Sequence, residues 1–116
     1  MEEELEKLIN LTYGRFRDEF EKQITKEEND RIQQSAAKGI SGPAFYSSIT
    51  DLHLEKIRKL YRKRIEIEKQ LMLDKYGFIP VSEVEGLKNR VNKIIKAGIK
   101  NLENKRYGGR IEPIVV

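Results

Sequence analysis

Arg64 and Glu68 stand four residues apart in a run where the neighbouring positions on the same helical sector, Leu60, Ile67 and Leu71, are apolar. A helix stacks residues i and i+4 on one face, so these two charges are set to neutralise each other inside the fold or to meet a partner. The internal pair is the expectation, with an interface contact as the alternative. A second set is basic. Lys93, Lys96 and Lys100 fall on one side of a helical stretch, flanked by Lys88, Arg90, Lys105 and Arg106, with Glu103 as the nearby acid. Such a row offers contacts to phosphates or to an acidic protein surface, and its affinity for nucleic acid would be salt-dependent and indifferent to base sequence. No aromatic side chains interleave these lysines to stack on bases.

Other chemistry finds little footing. His53 is the single histidine and there is no cysteine, so neither a histidine cluster nor a thiolate zinc site can be assembled. The interruption Gly39-Ile40-Ser41-Gly42-Pro43 lacks the Lys-Ser or Lys-Thr ending of a phosphate-cradling loop. The carboxylates Glu2 and Glu6 share a face, but a polar one. Arg64 and Lys75, eleven residues apart before Gly77-Phe78-Ile79-Pro80, make a stretch that resembles part of the long helix of helical chorismate mutases. Ser47 stands near the register of the upstream arginine that such a clamp needs, so the chain is expected to be non-catalytic, with no cofactor, no metal and no small-molecule substrate.

The 116 residues suit one domain, with 36% charged and 38% hydrophobic side chains and a net charge of +4. That balance fits a helical protein with a large wet surface. The charge is unevenly spread: residues 1–34 carry 6 basic and 10 acidic side chains, and residues 86–116 carry 8 and 2. An anionic partner at one end, or acidic-on-basic association of copies, is the natural reading. The acidic start, the missing cysteines and the lack of any apolar run near the ~20 residues of a membrane span predict a soluble, cytoplasmic protein.

The elements that must position these groups are helices. Leu5, Leu8, Ile9, Thr12, Phe16 and Phe20 recur at helical spacing from about Glu3. Gly14 allows a break, and Thr25-Lys26-Glu27-Glu28 reads as a capping box that would open a separate helix over 26–38. Gly39 is placed to stop it, Pro43 to prevent immediate resumption, and Ser47 or Ser48 to cap the next helix, so 39–48 is predicted to be a corner. Phe45 and Tyr46 would pin that corner or form a contact patch. The longest helix runs from about Ile49 to Tyr76 with two apolar stripes, one through Leu54, Ile57, Tyr61, Ile65, Met72 and Tyr76, the other through Leu60, Ile67 and Leu71. A face that wide predicts packing between two neighbours. Ser82-Glu83-Val84-Glu85 is a further capping box opening a helix with Val84, Leu87, Val91, Ile94, Ile95, Gly98 and Leu102 inward. Gly98 on that stripe predicts a close helix approach. The expected result is an all-α antiparallel bundle of three or four helices over 1–107, then an extended tail over 108–116. In that tail Ile111, Ile114 and Val115 are candidate partner contacts.

The stretch Leu52-His53-Leu54-Glu55-Lys56-Ile57-Arg58-Lys59-Leu60, followed by Ile79-Pro80-Val81-Ser82-Glu83-Val84-Glu85 and a further helix, resembles the helical domain of GINS replication-complex subunits. The resemblance implies a scaffold that assembles with sister subunits and bridges helicase components. With the residue reading, it predicts a non-catalytic adaptor in a nucleic-acid-associated assembly, with protein partners or self-association. A direct, sequence-nonspecific DNA or RNA binder and a viral assembly protein are the alternatives.

Overall fold

A computed structural model describes residues 2–40 and 42–107, with side chains as far as Asn104. Three helices make up almost all of it: α1 (Glu3–Lys38), α2 (Pro43–Tyr76) and α3 (Val81–Tyr107). No strand occurs among the described residues. The predicted tail over 108–116 lies outside them.

Cross-helix pairs fix the directions. Lys75 lies 3.3 Å from Glu2, and Arg31 donates to the Ser48 carbonyl at 2.8 Å, so α1 and α2 run antiparallel. Arg90 on Glu68, together with Gly98 on Ile57, sets α3 antiparallel to α2. α2 packs against both neighbours, whereas no Cα of α1 comes within 8 Å of a Cα of α3. The two-stripe helix is thus the middle member, as its width predicts. The molecule is about 55 Å along its longest axis.

The core joins Leu5, Ile9, Tyr13, Phe20 and Ile24 of α1 to Leu52, Leu60, Ile67 and Met72 of α2. Ile9 and Met72 are fully covered, and Leu102 of α3 is also buried. Each such side chain contributes on the order of 1.5–3 kcal/mol by leaving water, before the cost of ordering the chain. The α1 stripe differs from the expectation: Leu8 and Thr12 are exposed, and Tyr13 takes the inward position.

Three local expectations are corrected. α1 does not break at Gly14 or restart at Thr25; it is continuous, because the 3.6-residue stripe through Phe20 and Ile24 docks on α2 without interruption. Glu28 then serves not as a capping acid but as the neighbour of His53, with Oε2 3.3 Å from Nε2. Pro43 does not delay the next helix. It occupies the first turn of α2, where its missing N–H costs nothing, so Ser47 and Ser48 lie inside the helix rather than ahead of it. The corner itself matches: Gly39 and Gly42 both have φ of 68°, a backbone state that side-chain-bearing residues rarely adopt. Gly39 and Ile40 return their N–H groups to the carbonyls of Ala36 and Ser35.

Gly98 bears out its own prediction. A Cβ built there would lie 2.5 Å from Cγ1 and 2.9 Å from Cδ1 of Ile57. Only a residue without a side chain lets α3 approach α2 this closely.

Candidate partner-binding surfaces

Glu68 sits at the convergence of the three helices, with none of its side chain exposed. Arg64 donates Nε to its Oε2 at 2.6 Å, the i, i+4 pair that the spacing predicts. Arg90 reaches across from α3, donating Nε to Oε1 and Oε2 at 3.0 and 2.9 Å, and Nη2 also donates to Oε1. The other arm of Arg64 donates Nη2 to Asn10 Oδ1 on α1 at 3.0 Å, and its guanidinium carbon lies 5.2 Å from the centre of the Tyr13 ring. One carboxylate between two guanidiniums fixes three helices in register. The hydrogen bonds that Arg90 donates to Glu68 outweigh its partial burial and raise the Arg90 pKa above its ordinary value. Burial also raises the Tyr13 phenol, against opposing charges on Arg17 and Arg64.

Of the two readings of Arg64 and Glu68, the expected internal pair is the one found, not the alternative partner contact, since each is buried against groups of its own chain. One sequence-based assignment is corrected. Arg90 does not belong with the outward lysines. At its register on α3 it turns toward α1 and α2, and the extra carboxylate oxygen of Glu68 draws it in. The sequence does contain a signal for this: Arg90 lies at the edge of the apolar stripe, not opposite it. The Arg64 to Lys75 spacing is likewise spent on internal partners, since Lys75 faces Glu2.

Lys88, Lys93, Lys96 and Lys100 are exposed on α3, as their spacing predicts. Lys105 and Arg106 have side chains outside the described residues, and Ile111, Ile114 and Val115 lie outside them altogether. At the α1–α2 corner, Phe45 and Tyr46 pack edge to face at 5.6 Å, with Tyr46 exposed beside exposed Ile32 and Ile40. The opposite end carries a second apolar surface that sequence patterning did not single out: Phe78 is 61% exposed and Val81 88%, with Val84 on the next turn. Val84 is expected on the inward stripe of α3, yet it is 39% exposed.

Among the described residues, no group of three His, Cys, Asp or Glu side chains is placed to hold a metal ion, and no helix is long and apolar enough to cross a membrane. Comparison with known proteins finds no matching family model, curated protein or solved structure.

Proposed function

We propose that the chain is a non-catalytic helical scaffold or adaptor subunit of a larger, nucleic-acid-associated assembly of the replication type. The observation that carries this reading is the apolar surface at each end of a 55 Å rod: Ile32, Ile40 and Tyr46 at one end, Phe78, Val81 and Val84 at the other. Exposed apolar side chains grouped in this way favour contact with other proteins. A body held in register by the Arg64–Glu68–Arg90 network, with Glu68 fully covered, would keep the two ends at a fixed separation, which is what bridging requires. The resemblance to GINS helical domains supports the replication setting.

A second reading, direct and sequence-nonspecific binding of DNA or RNA, is favoured by the exposed lysines of α3. Size-exclusion chromatography with light scattering, with and without a DNA duplex, separates the two. The scaffold reading expects a discrete oligomer, heavier than the 13.6 kDa chain, that returns to monomer mass when Phe78 and Val81 are changed to Ser. A monomer that co-elutes with the duplex supports the second reading, and a monomer that does neither rejects self-association through the ends.

A further inference from the structure

We infer that the groove between α1 and α3, floored by α2, receives an amphipathic helix with acidic flanks from a partner protein. The inference rests on the scaffold reading in that the occupant is a protein.

The groove follows from the packing. Both outer helices lie on α2 but their Cα atoms stay more than 8 Å apart, which leaves a trough of about 650 Å³ lined by all three helices. Its α1 wall runs from Tyr13 to Thr25 and its α3 wall from Lys93 to Asn104. At 1.5 Å per residue each wall is roughly 17–18 Å long, room for about three turns of a further helix. A helix in that position would close a four-helix arrangement around α2.

The chemistry of the lining selects the occupant. Ile57 and Leu60 form the floor, with Ile94 and Ala97 above them on α3. These reward an apolar stripe. Each helix then contributes one cation to the rim: Arg17 from α1, Lys56 from α2 and Lys93 from α3. The single carboxylate on the lining, Glu21, lies 3.7 Å from Lys56 and is already engaged. Arg17 leans on Asp18 at 3.3 Å in an exposed pair, which an incoming carboxylate can replace at little cost. Acidic residues beside the apolar stripe of an incoming helix would meet Arg17 and Lys93, and basic ones would be repelled.

The test is fluorescence anisotropy with the full chain and a labelled, designed helical peptide of about fifteen residues. It carries leucines on one face and glutamates beside them; its comparator carries lysines in place of the glutamates. The acidic peptide is expected to bind at least about tenfold more tightly. Ala97 is exposed on the groove wall, so Ala97→Trp is expected to fill the trough and weaken binding about tenfold, with circular dichroism unchanged. Arg17→Glu with Lys93→Glu, at two exposed positions, provides a second check that leaves the core alone and should reverse the preference between the peptides. Equal binding of both peptides, or undiminished binding by both sets of variants, overturns the inference. So does an oligomer of this chain that Ala97→Trp dissociates, because the groove would then hold a second copy. None of these variants alters Phe78 or Val81, so a failure here leaves the light-scattering result for the ends standing, and the reverse also holds.

Discussion

Arg90 on α3 grips both carboxylate oxygens of Glu68 on α2, a side chain with no exposed surface, while Arg64 holds the same group from within α2. Charge therefore sits inside this molecule as a bridge between helices, and most of its predicted behaviour under mutation stems from that.

Glu68→Ala would leave the buried guanidinium of Arg64 unpaired and facing that of Arg90, which is partly exposed. Losing one partner of a buried charge network costs about 3–5 kcal/mol, whereas well-packed apolar replacements of whole networks are often neutral. Urea denaturation is expected to show a loss of that order for Glu68→Ala, and a much smaller one for Arg64→Met, Glu68→Leu and Arg90→Met combined. A small loss for Glu68→Ala alone would mean that water reaches the site.

At the Gly98 contact, helix propensity and packing oppose each other. Alanine would favour the helix by about 1 kcal/mol, but its Cβ would meet Ile57 Cγ1 at 2.5 Å, and overpacking costs about 1–3 kcal/mol. Gly98→Ala is expected to destabilise on balance. Combined with Ile57→Ala, which removes the opposing atom, the loss should be smaller than the sum of the two single losses, measured as a double-mutant cycle.

Tyr13 gives the fold a sensitivity to alkali. Burial holds its phenol above the usual value of about 10, so the folded state keeps a proton that the unfolded chain releases first. The stability from this difference is complete below about pH 10 and is lost as pH rises through the folded value. Melting curves from about pH 9 to about pH 11 should fall more steeply for the native chain than for Tyr13→Phe, a comparison that removes the shared contribution of the lysines.

On α3, Lys88, Lys96 and Lys100 are exposed, so changing all three to Glu should leave thermal unfolding nearly unmoved. If the row meets nucleic acid, the same change should weaken binding uniformly across sequences and flatten its dependence on salt. Filter binding at several salt concentrations reads both.

Zinc should leave the melting temperature where it is. His53 faces Glu28, and no third metal-binding side chain joins them among the described residues. A stoichiometric rise on adding zinc would contradict this.

The amphipathic stripes carry much of the fold in readable form. Helix type, the central place of the widest-faced helix, the Gly39 corner and the tight approach at Gly98 all arise from local spacing or from one missing side chain. The continuity of α1 does not, because a capping-box pattern at Thr25 competes with an apolar stripe whose docking on α2 is a tertiary effect. Pro43 is ambiguous for a related reason: proline both ends helices and begins them, and only the preceding backbone decides which. In the candidate site, Arg64 with Glu68 is legible because both lie on one helix. Arg90 and Asn10 join them across helices, where no spacing rule applies, and the groove exists because the backbones of α1 and α3 stay apart.

That separation of backbones also shapes how the chain is expected to open and close. Two hairpins share α2, each closed through one of the short connections 39–42 and 77–80, so their contacts form near the turns and little loop entropy is spent before packing begins. Beyond the shared Arg64–Glu68–Arg90 network, each outer helix packs mainly on α2, so the two are expected to open in separate steps. Amide hydrogens in the middle of α2, around Arg64 and Glu68, should be the last to exchange with solvent, and those of α1 and α3 should exchange in two separable steps.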